Sequence, residues 1–403
     1  MSSWLHTAPF SQSEGVFGSD TGNENAHTNS ASDLPVAITC TTETSRKPPE
    51  VQLTSFTLLI ARLQEQLPND GPFLFPSNTD FLNRSTLAFG GFFSVERTEI
   101  GDWDSFWSGE QKPKPGWNKY IALKYVRSPN RDKLRSNWKQ LLLEARAFLH
   151  EPIRYHPNIV RFLAISWGPT RGSHSPFPAF MLELSELGTL AQLQTNQDQL
   201  SFLVKKQLCW DVSKGLSILH ACGIIHGDLK HDDVLIYPNN SDSDPVFGYR
   251  KPYIAKLSDF GGSVMNLLHA EEVFLHVGTR SYEAPDARER LTEDGLKRTD
   301  VYSLGLLIWR TLLDGKSPFH SLVPTLTDVQ ISQMKRTPDL VDKAKASVHE
   351  YLTNLNDDER KTVDYVLDNT VQYQSDKRNL VNTIAALQAP GFGRNRLHKR
   401  CVE

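Results

Sequence analysis

The hydrophobic and polar positions of the chain divide it into short alternating runs first and long apolar runs later. Tyr120-Ile-Ala-Leu-Lys-Tyr-Val126 alternates in period two, which predicts a half-buried strand with Lys124 facing away from its neighbours Leu123 and Tyr125. Upstream, Thr86-Leu-Ala-Phe-Gly-Gly-Phe-Phe-Ser-Val-Glu-Arg97 sets apolar and small residues around Gly90 and Gly91, as in a hairpin that closes over a ligand. Trp138-Lys-Gln-Leu-Leu-Leu-Glu-Ala-Arg-Ala-Phe-Leu149 predicts an amphipathic helix carrying Glu144. The segment from Phe180 to Leu190 reads as a buried strand entering a turn, and Thr299 to Trp309 as a core helix.

Two further stretches stand apart from this pattern. Residues from Met1 to about Glu50 are rich in Ser, Thr, Asn and Pro without apolar periodicity, the composition of a disordered tail. Phe56, Ile60, Leu63 and Leu67 then share one helical face before Pro68, so 51–80 is expected to hold a short amphipathic helix and a linker. The helix is expected to pack on the part of the fold that follows. Segments 101–117, 168–178 and 238–251 are polar or rich in Gly, Pro and Trp and are expected to be surface loops. Arg394, Arg396, Lys399 and Arg400 mark 391–403 as a basic, solvated tail.

Composition narrows the class. With 403 residues and 39% hydrophobic content, the chain can bury one large domain with extensions, and a formal net charge of −3 argues against bulk nucleic-acid binding. Cys40, Cys209, Cys222 and Cys401 lack metal-ligand spacing and read as reduced packing residues. The chain shows neither a leader-like start nor an apolar run of membrane-spanning length, so an intracellular protein, cytoplasmic or nuclear, is expected.

The chemistry concentrates between Ile224 and Gly261. Ile-Ile-His-Gly-Asp-Leu-Lys-His-Asp-Asp-Val-Leu-Ile is followed, after an insert, by Lys-Leu-Ser-Asp-Phe-Gly-Gly. A hairpin between the two runs can aim Asp228, Asp233 and Asp259 into one small volume. Their mutual repulsion, several kcal/mol at moderate effective dielectric, calls for a cation among them. Lys230 and a bound Mg²⁺ are the candidates.

These residues resemble the catalytic loop and the metal-binding Asp-Phe-Gly of eukaryotic protein kinases, and the resemblance continues in order along most of the chain. It implies an α+β, two-lobed fold: a small antiparallel β-sheet lobe with one main helix, about 81–184, and a larger, mostly helical lobe, about 185–390. Against the family's His-Arg-Asp-Leu-Lys-x-x-Asn, Asp228 takes the place of the base that accepts the substrate proton and Lys230 that of the phosphate contact. Asp233 stands in for the Asn and, with Asp259, would hold the metal. Gly227 replaces the Arg that usually pairs with a phosphorylated residue of the activation segment. Residues 264–277 contain no Ser, Thr or Tyr, so mid-segment phosphorylation is not expected to switch the domain, and Glu271 or Glu272 is a candidate fixed charge.

The remaining implied parts are the strand lysine Lys124 with its helix partner Glu144, and a glycine-rich loop in which only Gly90 matches while Ala88 and Phe93 replace the outer glycines. Phe93 is therefore expected to weaken phosphate cradling. Val95, Ala122, Leu182 and Leu235 would line the adenine pocket, with Glu183 to Ser185 offering backbone groups to the base. Val277-Gly-Thr-Arg-Ser-Tyr-Glu-Ala-Pro-Asp286 resembles the family's peptide platform, with Asp286 expected to pair with Arg378 and Asp300 to bond the catalytic-loop backbone.

The implied activity is Mg²⁺- or Mn²⁺-dependent transfer of the ATP γ-phosphoryl to Ser or Thr hydroxyls of protein substrates, since Lys230 resembles the Ser/Thr branch. The alternatives are a pseudokinase scaffold with weak or no turnover and, third, a small-molecule phosphotransferase that shares His-Gly-Asp. Oligomeric state is left open by these residues.

Overall fold

The computed structural model describes residues 73–75, 81–89, 93–100, 120–126, 134–169, 176–197, 199–239, 251–265, 267, 272–275, 278–323 and 325–388. Gly90, the predicted helix around Phe56 to Leu67, Glu271, Cys40, Cys401, both tails and the insert 101–117 lie outside them.

The first half forms a six-stranded sheet in the order β1-β5-β6-β4-β3-β2. Its strands are β1 (Phe73–Phe75), β2 (Phe81–Phe89), β3 (Phe93–Ile100), β4 (Tyr120–Val126), β5 (Phe162–Pro169) and β6 (Pro176–Glu183). All neighbours pair antiparallel except β1, which runs parallel to β5 with Phe73 opposite Ala164. That edge strand adds one parallel pair to the expected antiparallel sheet and corrects the bounds of the supposed linker by drawing 73–75 into the sheet. A second correction concerns 168–178. Both ends of that expected loop are strand, with Gly168 opposite Phe177 and Pro169 opposite Pro176, while 170–175 lie outside the described residues. Pairing of β6 with β4 stops at Ala179, so Pro176 and Pro178 lie where no third strand asks for their missing N–H groups.

One helix, α1 (Leu134–Leu149), packs on this sheet, followed by the short α2 (Glu151–Arg154). On its buried face Leu141, Glu144, Ala145 and Phe148 follow at helical spacing, each at most 1% exposed. A carboxylate in that apolar row requires a partner.

The second half is mostly helical: α3 (Leu190–Asn196), α4 (Phe202–Ala221), α5 (Glu293–Leu312), α6 (Pro318–Leu322), α7 (Asp328–Met334), α8 (Leu340–Tyr351), α9 (Asp357–Asp368) and α10 (Leu380–Gln388). Between α4 and α5 lie β7 (Ile224–Ile225), β8 (Val234–Pro238), β9 (Tyr253–Leu257) and β10 (Val264–Met265), paired as the antiparallel ribbons β8–β9 and β7–β10. α5 is buried on nearly every side. Thr292 caps its start by accepting the Gly295 N–H, and Glu293 and Asp294 fill its first turn. Each large apolar side chain it buries contributes about 1.5–3 kcal/mol. One apolar core runs from Ala122 and Phe148 of the sheet half through Leu257 and Phe260 to Trp309, which ties the halves together at the ribbons. Cys209 is buried, Cys222 partly so, and both are free thiols, with burial pushing the Cys209 thiol up to about 12. Among the described residues no helix is long and apolar enough to cross a membrane.

Candidate active site

Strand pairing assembles one wall of the cleft. Val95 lies opposite Lys124, and Ala122 opposite Leu182, so all four side chains reach the same side of the sheet. The intervening Ile121, Leu123 and Tyr125 enter a separate core with Met181 and Ala164. Leu235, on β8, is half-buried against the main core and closes the wall from below.

Lys124, 6% exposed, donates to Glu144 Oε1 at 2.6 Å and to Asp259 Oδ1 at 2.9 Å. Burial opposes its charge, but the carboxylates of Asp259 and Glu144 outweigh burial and raise its pKa. Lys124 in turn holds the Asp259 carboxyl down, at about 2. Burial pushes Glu144 the other way, up to about 7, against the pull of the same ammonium. Asp259 adopts φ 63°, a left-handed conformation uncommon outside glycine, which marks a local strain at the turn.

The loop from His226 to Lys230 hangs on Asp300 of α5. One Asp300 oxygen accepts the His226 N–H at 2.8 Å and His220 Nε2 lies 2.9 Å from it, while the other accepts the Gly227 N–H at 2.9 Å. Gly227 has φ +80°, and a Cβ there would approach the Gly262 carbonyl oxygen to 2.8 Å and Leu275 Cδ1 to 3.3 Å. Only glycine fits without displacing backbone. Leu275 thus packs against the place where a longer side chain at 227 would start.

Asp228 is bonded on both oxygens. Oδ1 accepts the Thr279 N–H at 2.6 Å and its hydroxyl at 2.8 Å, and Oδ2 accepts Lys230 at 2.6 Å. Lys230 also lies 3.3 Å from Asp233 Oδ2, an oxygen that is buried without a hydrogen bond. Burial, then the nearby Asp259, push the Asp233 carboxyl well above its ordinary range, with Lys230 opposing them. The Asp233 carbonyl accepts both the N–H and the hydroxyl of Ser258, each at 2.9 Å, which joins the two acidic runs. Among the described residues no group of three His, Cys, Asp or Glu side chains is arranged to hold a metal by itself.

The segment after Gly278 is braced from beneath. Arg310 Nη1 donates to the Tyr282 hydroxyl at 2.8 Å, so the hydroxyl proton turns to His231 Nδ1 at 3.0 Å. Burial keeps His231 neutral, and its remaining N–H goes to Thr311 Oγ1 at 3.2 Å. Asp286 meets Arg378 at 2.8 Å, the pairing expected from the motif. Lys335, at the end of α7, donates to the carbonyls of Arg280 and Glu283, each at 2.7 Å. Burial pulls its pKa down to about 7, and a neutral amine still has two N–H groups for these two acceptors. No motif announced this lysine.

Other predicted positions have different surroundings. The Glu183 N–H donates to the Arg161 carbonyl at 3.0 Å, its carbonyl accepts the Tyr237 hydroxyl at 3.3 Å, and its carboxylate pairs with Lys256 at 2.7 Å. Its N–H is thus taken by the fold, while its carbonyl, with one hydrogen bond, keeps a second lone pair. The Ser185 hydroxyl donates to the carbonyls of Gly188 and Ile236. Glu272 is exposed, and its carbonyl accepts Arg290 at 3.3 Å. Val273 and Leu291 exchange backbone hydrogen bonds at 3.0 Å. Backbone and apolar contacts hold this segment.

Comparison with known proteins gives a consistent result. Residues 114–386 match the model of the protein kinase domain, starting downstream of β3. A putative serine/threonine-protein kinase/receptor of Acanthamoeba polyphaga mimivirus is 27% identical over 265 residues, 64% of this chain and 14% of that protein. A serine/threonine/tyrosine-protein kinase of Arabidopsis thaliana is 26% identical over 223 residues, 55% of this chain and 51% of that protein. A serine/threonine-protein kinase of the same plant is 30% identical over 203 residues, 50% and 48% of the two chains. The matched regions thus span from about a seventh to half the length of these relatives.

Proposed function

The chain belongs to the protein kinase family, and from that premise we propose that it transfers the γ-phosphoryl group of ATP to Ser or Thr hydroxyls of protein substrates. The observation that carries this reading is the Asp228 carboxylate, aimed by Thr279 and Lys230 at 2.6–2.8 Å. Such a carboxylate can orient a substrate hydroxyl and accept its proton, and Lys230 beside it can neutralise charge on the group in transit. Lys124, kept in place by Glu144, would steady the phosphates. Val95, Ala122, Leu182 and Leu235 supply an apolar wall suited to the flat face of a purine.

Asp233 and Asp259 would hold Mg²⁺ or Mn²⁺. The unbonded, buried Asp233 Oδ2 fits that role, and Mg²⁺ asks for only one or two carboxylates when phosphate oxygens and water complete its shell. When bound, the ion neutralises the developing phosphate charge. Activity without mid-segment phosphorylation is supported by three features together. They are the absence of Ser, Thr and Tyr from 264–277, the glycine at 227, and a segment held by the Val273–Leu291 exchange and Leu275.

A second reading, a scaffold of this fold with little turnover, is favoured by Phe93 at a glycine position beside Lys124. The test is phosphate transfer from labelled ATP to generic Ser/Thr peptides with Mg²⁺ or Mn²⁺, with nucleotide binding followed in parallel. Transfer by the wild type that disappears in Asp228→Asn is the expected outcome. Nucleotide binding without transfer to any peptide would move the assignment to the scaffold.

A further inference from the structure

The Lys124 ammonium has three N–H groups. Two meet Glu144 Oε1 at 2.6 Å and Asp259 Oδ1 at 2.9 Å. On another side lies the ring of Phe93, its centroid 4.7 Å from Nζ. Phe93 opens β3 opposite Val126 and is 9% exposed, a member of the apolar core that also takes in Ala122, Phe148 and Phe260. The same ring reaches the Asp259-Phe260-Gly261 turn, since a Cβ on Gly261 would meet Phe93 Cε2 at 3.8 Å. One aromatic side chain therefore spans from the strand lysine to the metal-ligand turn. Here the cation holds the ring through its quadrupole, and the core holds it through burial.

We propose that Phe93 is a built-in plug of the phosphate subsite, so that this chain discriminates poorly between phosphorylated and unphosphorylated adenosine until the ring swings out. The inference rests on the reading of Lys124 as a phosphate contact. Two carboxylates and the ring face the ammonium, so a phosphate oxygen that approaches from the Phe93 side has to displace the ring. The apolar wall at Val95, Ala122 and Leu182 is made by residues other than Phe93, so a purine without phosphates does not need the ring to move. Phosphate binding then gains a charge-assisted hydrogen bond and forfeits a buried cation–π contact and a packed ring.

The experiment compares adenosine, ADP and ATP as ligands of the wild type, Phe93→Gly and Phe93→Ala, by calorimetry with Mg²⁺, with thermal unfolding recorded for each variant. Phe93→Ala keeps a strand-compatible residue should the glycine variant fail to fold. Wild type is expected to bind adenosine and ADP with similar affinity. Either variant is expected to bind ADP and ATP roughly 10- to 30-fold tighter, the worth of a desolvated cation–π contact, with adenosine unchanged. Equal ADP affinity in wild type and variants, with adenosine bound by all, would overturn the plug and leave the nucleotide reading standing. Folded variants that bind none of the three ligands would overturn that reading and the plug with it.

Discussion

The floor and the roof of the cleft are built on opposite principles. In the floor, Asp300 collects the His226 and Gly227 N–H groups and His220, Asp228 collects Thr279 and Lys230, and Ser258 clasps the Asp233 carbonyl. Every functional side chain there is fixed by at least one charged or backbone partner, and each partner demands a specific residue type. The roof in this family binds phosphate through backbone, which demands only the absence of side chains. In this chain Phe93 stands where the resemblance expects a glycine of that cradle, and its ring packs on Lys124. The contrast teaches that a side-chain network tolerates few substitutions, whereas a backbone cradle can be closed by a single one.

The largest effect expected is on the floor. Asp228→Asn keeps the shape and the Thr279 contacts in part but removes the proton acceptor, so phosphate transfer should fall by about 10²–10⁴ with nucleotide binding intact. Transfer at the wild-type rate would detach the floor from the chemistry and break the comparison at its base. Next is Asp300→Ala, which leaves two buried amide donors and His220 without an acceptor at about 1–3 kcal/mol for each group. Urea unfolding should show a loss of a few kcal/mol, and a midpoint within error of wild type would mean that the loop does not depend on its anchor.

Lys124→Met reads floor and roof together, because the methionine removes both the ion pairs and the hold on the ring. ADP binding in the Phe93→Ala background should weaken about tenfold or more on this change. In the wild-type background, where the plug already blocks the ammonium, the loss should be smaller. An equal loss in both backgrounds would make the two sites independent.

The smallest effect concerns Lys335 under the peptide platform. Unfolded, this lysine keeps its proton to about 10.5, whereas in the folded chain it releases it near 7. Between those values unfolding takes up a proton, so this group makes stability rise with pH, by at most about 1.4 kcal/mol per unit, and contributes no slope below the window. The difference in pH slope between wild type and Lys335→Met measures it. Parallel slopes from pH 7 to 9 would show the lysine charged throughout.

Most of the floor was legible in the chain itself. Asp228, Lys230, Asp233 and Asp259 sit at fixed short spacings within two runs, and Asp300 and Asp286 begin or end recognisable words, so their placement together is legible in local sequence. The Lys124–Glu144 meeting was legible only through the resemblance, which implies that pair; a strand lysine and a helix glutamate by themselves do not announce each other. The Glu183 backbone bonds were not legible because their partners, Arg161 and Tyr237, lie far from it along the chain. The parallel edge strand Phe73–Phe75 was missed for a related reason. Three residues carry no period, and only the exposed edge of β5 makes them a strand.

By itself the sequence determined the order of most elements, the acidic hairpin and the absence of a hydroxyl in 264–277, because these depend on residue type and spacing over a few positions. Tertiary structure alone decided that the ring of Phe93 turns onto Lys124, that Leu275 packs over Gly227 and thereby demands glycine there, and that Lys335 is buried against two carbonyls. Each of these is a contact between segments far apart in the chain. Its energy comes from burial and from the exclusion of water, and neither exists until the segments are packed.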